Sequence, residues 1–399
     1  MLSIPFESAF NILLLVVLVS IIARFFRLPY TVALVFAGLL APFFSLLLPQ
    51  VSPDIFLSLL LPPVIFQAAT HINLSEMRKD ANPIFSYAFI GTMLSTFLIG
   101  LIFHFAMGFP FLEALLLGAI ISPTDPIAVI SSLRTLGVSR RLTLIIEGES
   151  LFNDGVAVVM YTTIITALIS GVFDWADVVG GMIFSILAGG VIGGLIGYIT
   201  YRLLSALERL HGGGDDDFIR IILTFITMYV SYQLAIFLNG SGIISVAIAG
   251  LIMGNFLSKT IPQRSLENLD MVWDFVAFIA TSVSFILIGT NLSLYLLWEY
   301  IFTIVLSFLI ILCIRAITIY SLSEVLGLAG KGIPRSWQNT TIWSGLRGAV
   351  SVMLALGLAE LPIQRSNDIT AIIFGVVFFS VIFQGLTIKP LMRKLELSK

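Results

Sequence analysis

The sequence predicts an all-α polytopic membrane protein with about thirteen transmembrane helices. The prediction rests on the composition, the long apolar runs and the distribution of basic residues. Hydrophobic residues make up 58% of the 399-residue chain, charged residues make up 11%, and the mean hydropathy is +1.06. A soluble domain carries about 25% charged residues, so the composition excludes a soluble fold. The net charge of −2 gives no indication of a nucleic-acid partner, and we expect none.

A spanning helix needs about 20 mostly apolar residues, and the chain contains about thirteen such runs, numbered here as spans 1 to 13. We interpret the first run as a span rather than a signal sequence because it lacks a basic leader. The chain, 1–399, is therefore predicted to be one transmembrane domain that contacts the lipid bilayer throughout. The spans centre near Leu15, Leu39, Leu60, Leu94, Ile121, Val156, Gly190, Met228, Ala247, Ser282, Phe308, Gly348 and Val377.

Lys and Arg are distributed unevenly between alternate loops. If the spans alternate in direction, the basic residues of the loops fall on one side of the membrane, with Arg365 as the exception. Cytoplasmic loops of membrane proteins are enriched in basic residues. The pattern therefore places the N-terminus outside and the C-terminus in the cytoplasm of a multi-pass protein, and we expect the plasma (inner) membrane.

Two spans contain signals that interrupt a helix. Span 5 carries Pro123 and Pro126, which cannot donate backbone hydrogen bonds. Span 12 has a softer break, where Gly345 and Gly348 flank Arg347. Irregular backbone within a bilayer is tolerated only where it lines a cavity or packs against protein. One break could reflect the general abundance of Pro and Gly in membrane helices, but two at matched depth favour a binding site.

An odd number of spans separates the two breaks, so the two halves would have opposite topology. Such inverted repeats place their substrate site at the midplane. We predict repeat one over about 1–170, a linker helix over about 177–205 and repeat two over about 217–395. The polar segment from Glu208 to Asp217 is predicted to be a flexible linker.

Two carboxylates lie between apolar runs, Asp125 in the break of span 5 and Asp154 in span 6. A charge at the centre of a bilayer is costly, which favours ion or proton handling over a structural acid paired with a base. Ser150 and Asp154 share a helix face at i and i+4. Hard cations prefer oxygen ligands, and the unwound Thr124 adds a hydroxyl and a carbonyl. The sequence therefore predicts a cation site formed by these four residues.

Glu149 and Asn153 form a second polar stripe on span 6. A buried guanidinium cannot lose its proton, so Arg347 needs a partner, and we predict a Glu149–Arg347 ion pair that joins spans 6 and 12. Arg315 is expected near the cytoplasmic end of its span, with its head group extended to water. Glu113 is expected at a solvated helix end.

Motifs of several other function classes are missing from the sequence. We find no HExxH motif, no paired Cys or His spacing, no Walker loop and no complete GxSxG elbow. We therefore expect no enzymatic activity, no resident cofactor and no zinc.

Three segments resemble the signatures of the NhaP/NHE-type sodium/proton antiporters, a family of monovalent cation:proton antiporters. They are Thr124–Pro126, Glu149–Gly155 and Gly345–Ser351, in the expected order and spans. The resemblance implies exchange of Na⁺, or Li⁺, for H⁺ by alternating access, with Asp154 as the exchange carboxylate. It implies that Asp125, Ser150 and the Thr124 carbonyl line the Na⁺ site, and that Asn153 steadies span 5. It also implies a homodimer, a role in pH homeostasis and likeness to the short prokaryotic members.

The identity of the cation stays open at this point. Many members of the family carry an acid where this sequence has Gln67, and a neutral amide there would alter a water-held ligand or a proton path. A K⁺/H⁺ antiporter of the same fold is the alternative, and a cation channel is a more distant one. A single carboxylate that holds either one proton or one cation predicts electroneutral 1:1 exchange.

Overall fold

The computed structural model describes residues 6–26, 28–44, 52–171, 174–211, 217–292, 294–361, 363–395 and 397. Within these ranges every regular element is helical, which confirms the predicted all-α class. Eight of the described helices are long and apolar enough to cross a membrane. Shorter apolar helices lie between them, and the order is consistent with about thirteen spans.

The helices of the first half follow the predicted order, and two of them contain π-helical turns. Their bounds are: span 1, Phe6–Phe26; span 2, Tyr30–Leu40 with a 3-10 turn at Ala41–Phe44; span 3, Pro53–Ile55, a π turn at Phe56–Leu60 and Leu61–Thr70; span 4, Ala81–Phe85, a π turn at Ser86–Gly91 and Thr92–Met107; span 5, Phe111–Ile121 and Ile127–Thr135; span 6, Arg140–Ser170. A short helix, Leu74–Lys79, connects spans 3 and 4.

The second half has the same character, with a third π turn in the last span. Its bounds are: span 7, Trp175–His211; span 8, Asp217–Phe237; span 9, Gly242–Leu257; span 10, Gln263–Thr290; span 11, Ile301–Leu328; span 12, Arg335–Trp343 and Ala349–Leu356 with a 3-10 turn at Gly357–Glu360; span 13, Ser366–Phe379, a π turn at Ser380–Gln384 and Gly385–Lys394. A short helix, Leu294–Glu299, connects spans 10 and 11.

The predicted interruptions of spans 5 and 12 are confirmed, and they lie against each other. Span 5 is unwound between Ile121 and Ile127, and span 12 between Trp343 and Ala349. The backbone N–H of Asp125 donates to the Leu346 carbonyl oxygen over 2.7 Å. A Cβ atom at Gly348 would overlap the Asp125 side chain, so glycine is required for this close approach.

Span 7 packs closely against span 9 through its glycines. A Cβ at Gly189 or at Gly193 would overlap the backbone of span 9, at Ser241 and Ser245 respectively. The helix continues to His211, so the predicted flexible linker is helical from Glu208 to that point. Backbone hydrogen bonds continue there because helix propagation adds one bond for each residue that is fixed. The rest of the predicted linker, residues 212–216, lies outside the described residues.

The outer faces of the helices are apolar, as a bilayer requires. In span 7, Leu187, Val191 and Leu195 are each more than half exposed. Lipid tails favour such side chains as strongly as a protein core does. Buried polar residues lie instead between the helices, as Asn153 does in span 6 and Thr340 in span 12.

Glu113 is not at a solvated helix end, so that prediction is wrong. It is only 6% exposed, and its Oε2 accepts the backbone N–H of Arg365 over 3.2 Å. The Arg365 guanidinium donates to the Met107 carbonyl oxygen and lies 4.5 Å from the centre of the Phe109 ring. These contacts give Arg365 partners within the protein, at the N-terminal ends of spans 5 and 13.

Candidate cation site

A cavity of about 100 Å³ lies between spans 3, 5, 6, 10 and 12. All four residues predicted to form the cation site line it: Thr124, Asp125, Ser150 and Asp154. Since about 10–15 Å³ of such space holds one water molecule, the cavity has room for a cation with a few waters.

Span 6 holds the unwound segment of span 5 in place. The Ser150 hydroxyl donates to the Thr124 carbonyl oxygen over 2.7 Å, and Asn153 Nδ2 donates to Thr124 Oγ1 over 2.8 Å. Because span 6 is a continuous helix here, Ser150 and Asp154 lie one turn apart on the same face. The two hydrogen bonds therefore fix the oxygens of Thr124 relative to the Asp154 carboxylate.

Two of the three carboxylates that line the cavity, those of Asp125 and Asp154, have no basic partner among the described residues. Within the described part of the chain, no Lys, Arg or His nitrogen lies within 4 Å of Asp125 or Asp154. Asp125 Oδ1 accepts the backbone N–H of Ile127 over 3.0 Å. Asp154 is 9% exposed and faces the cavity rather than lipid. A carboxylate with this little water and no counter-charge is a site for a proton or a cation.

The cavity reaches towards the side of the membrane that carries the basic loops. Ile127, Ile130 and Glu147 line it on that side, and Glu147 Oε1 accepts from Arg134 Nη2 over 2.8 Å. Towards the opposite side the lining ends at Phe56, which is 1% exposed. The lining therefore extends along most of span 3, from Phe56 to Ala68.

The oxygens available to a cation are of mixed kinds. No cluster of three or more His, Cys, Asp or Glu that could hold a metal ion occurs among the described residues. A hydroxyl, a carbonyl and two carboxylates suit a hard cation better than a soft or redox-active metal.

The matched family is described as "Sodium/hydrogen exchanger, transmembrane", and the match covers residues 12–394. The chain belongs to this family. The Na(+)/H(+) antiporter ApNhaP of Aphanothece halophytica is 37% identical over 390 residues, which are 95% of this chain and 72% of that protein. The Na(+)/H(+) antiporter NhaH of Halobacillus aidingensis is 31% identical over 413 residues, covering 98% and 99% of the two chains. The predicted resemblance is confirmed.

A solved structure shares the fold of this sodium/hydrogen exchanger. The sodium proton antiporter MjNhaP1 from Methanocaldococcus jannaschii superimposes with a TM-score of 0.78 at 22% identity, covering 98% of this chain and 99% of that one.

In this sodium/hydrogen exchanger Glu149 pairs with Arg315, and the predicted Glu149–Arg347 pair is wrong. Glu149 Oε1 lies 2.5 Å from Arg315 Nη1, and Arg315 Nη2 donates to the Thr341 carbonyl oxygen over 3.3 Å. Arg315 is 5% exposed, so its predicted extension to water is also wrong. The buried carboxylate of Glu149 provides the counter-charge that makes this burial possible.

The Arg347 guanidinium donates hydrogen bonds to backbone carbonyl groups instead. Its Nη1 donates to the carbonyl oxygens of Ser122 and Pro123, over 2.5 Å and 3.2 Å. Those carbonyls lie where the first helix of span 5 ends and have no partner further along that helix. Arg347 therefore stabilises the break in span 5 by contacting its backbone.

Gln67 does not line the cavity in the exchanger. Its Nε2 donates to Asp274 Oδ1 of span 10 over 2.7 Å, and His71 Nε2 lies 3.9 Å from the same oxygen. The amide thus contacts an acid from another span near the basic side.

The sequence reasoning missed three hydroxyl residues of the cavity. Thr281 and Ser284 of span 10 and Ser351 of span 12 line it. Thr281 and Ser284 are three residues apart, which places them on one helix face, but single hydroxyls in an apolar run give no clear signal.

Proposed function

We propose that this chain is a secondary active antiporter that exchanges Na⁺ for H⁺ across the plasma membrane. The observation that carries the proposal is the unpaired Asp154 carboxylate in a cavity lined by a second acid, hydroxyls and an unwound backbone. The names of the relatives, which are Na(+)/H(+) antiporters, support Na⁺ as the cation.

A single carboxylate that always binds either a proton or a cation couples the movements of the two ions. Na⁺ and H⁺ compete for Asp154, so the binding of one requires the release of the other. Asp125, Ser150 and the Thr124 carbonyl supply further oxygens to Na⁺. One charge occupies the site in either state, and the exchange is therefore electroneutral with 1:1 stoichiometry.

Alternating access moves this site between the two sides. The positive-inside rule assigns the side of the basic loops to the cytoplasm, with the N-terminus outside and the C-terminus inside. The inverted repeats, 1–170 and 217–395, supply the crossed breaks, and helix 177–205 connects them. The protein acts as a homodimer in pH homeostasis, without a resident cofactor.

Reconstituted vesicles test this proposal. When a Na⁺ gradient is imposed on vesicles that contain a pH-sensitive dye, we expect protons to move in the direction opposite to Na⁺. The rate of this pH change should not depend on a clamped membrane voltage. The apparent KM for Na⁺ rises as the pH falls, because protons compete for Asp154. The same assay with a K⁺ gradient in place of the Na⁺ gradient shows which of the two cations the protein prefers.

Three results would contradict the proposal in different ways. A response to K⁺ but not to Na⁺ or Li⁺ would assign the chain to K⁺/H⁺ exchange. A current in the absence of voltage would exclude 1:1 stoichiometry. Passive cation flux without proton movement would indicate a channel.

A further inference from the structure

A second, smaller cavity lies between spans 11, 12 and 13 and shares no lining residue with the cation cavity. Its polar wall consists of Arg315, Gly345, Arg347, Ser380 and Gln384, and the remaining wall is apolar. The volume of this cavity is about 10 Å³, which is room for one small ion or molecule. The π turn Ser380–Gln384 forms one side, and such turns are frequent at functional sites.

An unsatisfied donor borders this cavity. Arg315 Nε has no hydrogen-bond partner among the described residues, although the residue is only 5% exposed. The other nitrogens of the guanidinium contact Glu149 and the Thr341 carbonyl oxygen. A Cβ at Gly345 would lie 3.0 Å from Nε, so the missing side chain of this glycine leaves the N–H uncovered. Buried N–H groups without a partner are rare in native proteins.

The charges around the cavity favour an anion over a water molecule. The Glu149 carboxylate offsets the charge of Arg315. Arg347 contacts the neutral carbonyls of Ser122 and Pro123, and no described carboxylate lies within 4 Å of it. Two guanidinium groups thus face one carboxylate in the interior of a membrane protein, where uncompensated charge is costly.

The neutral polar groups of the wall already have partners. The Ser380 hydroxyl donates to Gln384 Oε1 and accepts the backbone N–H of Arg347, and Gln384 Nε2 donates to the Trp343 carbonyl oxygen. Among the described residues, the donors of this wall without a partner are therefore the Arg315 Nε–H and the Nε and Nη2 groups of Arg347. A ligand here must accept a hydrogen bond, carry negative charge and be small.

We propose that this cavity holds a chloride-sized inorganic anion, bound by the Arg315 Nε–H beside the Arg347 guanidinium. The anion is resident and is not exchanged, because its cavity is separate from the one that contains Asp154. The inference goes beyond the cation exchange proposed above and does not depend on which cation is carried.

Binding of ³⁶Cl⁻ to the purified full-length protein tests the proposal. Equilibrium dialysis in sodium gluconate, at constant Na⁺, is expected to show saturable binding of about one chloride per chain, as the size of the cavity allows. The unfolding temperature is expected to rise when chloride replaces gluconate, because a ligand of the native state stabilises it. Gly345→Ala, which places a methyl group against Arg315 Nε, is expected to abolish both effects.

Gly327→Ala is the matched control, because a Cβ at this position in span 11 meets no atom within 4 Å. It is expected to keep both effects. The proposal is overturned if the wild-type protein shows no saturable chloride binding, or if Gly345→Ala binds chloride as the wild type does. Should Gly345→Ala fail to fold, wild-type crystals grown in sodium bromide decide: an anomalous peak beside Arg315 Nε supports the site, and its absence overturns it.

Discussion

The carboxylate of Glu149 and the guanidinium of Arg315 form an ion pair of 2.5 Å in the interior, with side chains 2% and 6% exposed. The pair joins span 6, which carries Asp154, to span 11. Removing one partner of a buried pair leaves an uncompensated charge, whereas removing both does not. The pair therefore determines how span 6 is held beside the second half of the protein.

We expect Arg315→Met to lower the free energy of unfolding by about 3–5 kcal/mol, because it leaves Glu149 charged and buried. The double variant Glu149→Gln with Arg315→Met should recover most of this loss. Denaturation of the detergent-purified proteins measures both. The control is Arg140→Met, which breaks an exposed pair with Glu76 and should cost about 0–1 kcal/mol. Additive losses in the double variant would contradict the pairing.

Asp154→Asn is expected to abolish cation-driven proton movement while the protein remains folded. The amide keeps the shape of the side chain but can hold neither a transferable proton nor a cation by charge. Vesicle transport and the unfolding temperature together provide the measurement. Asp177→Asn, an exposed position at the start of span 7, is the control and should transport normally. Retained exchange in Asp154→Asn would refute the assignment.

Asn153→Ala is expected to make the unwound segment of span 5 less firmly held. It removes the hydrogen bond to Thr124 Oγ1 and leaves a buried hydroxyl unpaired, which costs about 1–3 kcal/mol. The apparent KM for Na⁺ should rise, since the Thr124 oxygens lose their fixed position. Asn291→Ala removes a bond to the Leu287 carbonyl oxygen, away from the cavity, and should leave KM unchanged. An unchanged KM in Asn153→Ala would show that the bond from Asn153 is not needed to fix the segment.

Gly348→Ala is expected to eliminate transport, because the added methyl group would overlap the Asp125 side chain and separate the two breaks. The variant should also unfold at a lower temperature. Gly190→Ala in span 7 meets no atom within 4 Å and serves as the control for the same substitution. Normal transport by Gly348→Ala would mean that the two breaks need not touch.

Much of the fold could be predicted because the bilayer restricts the choices. Long apolar runs, two prolines and the distribution of basic residues predict the helices and the break around Pro123 and Pro126. The proximity of Asp154, Ser150 and Thr124 could likewise be expected, since helical spacing gives a shared face and the break of span 5 directly precedes span 6 in the chain. The physical rules that decide these features act locally along the chain.

The partner of Glu149 could not be predicted, because it depends on the rotation of whole helices. Arg315 and Arg347 are equally charged and both buried, and the sequence contains nothing that reports which guanidinium faces span 6. The π turn at Ser380–Gln384 was missed for a similar reason, since one additional residue in a helical turn leaves the apolar pattern almost intact.

The crossing of the two breaks also determines the polarity that a passing ion meets. The N–H of Asp125 donates to the Leu346 carbonyl oxygen, and the N–H of Ile127 donates to the Asp125 carboxylate. The Ser150 hydroxyl donates to the Thr124 carbonyl oxygen. Pro123 and Pro126 contribute no N–H at all. With these hydrogens engaged, the carboxylates of Asp125 and Asp154 dominate the electrostatics of the chamber, so it repels anions before any selection among cations begins.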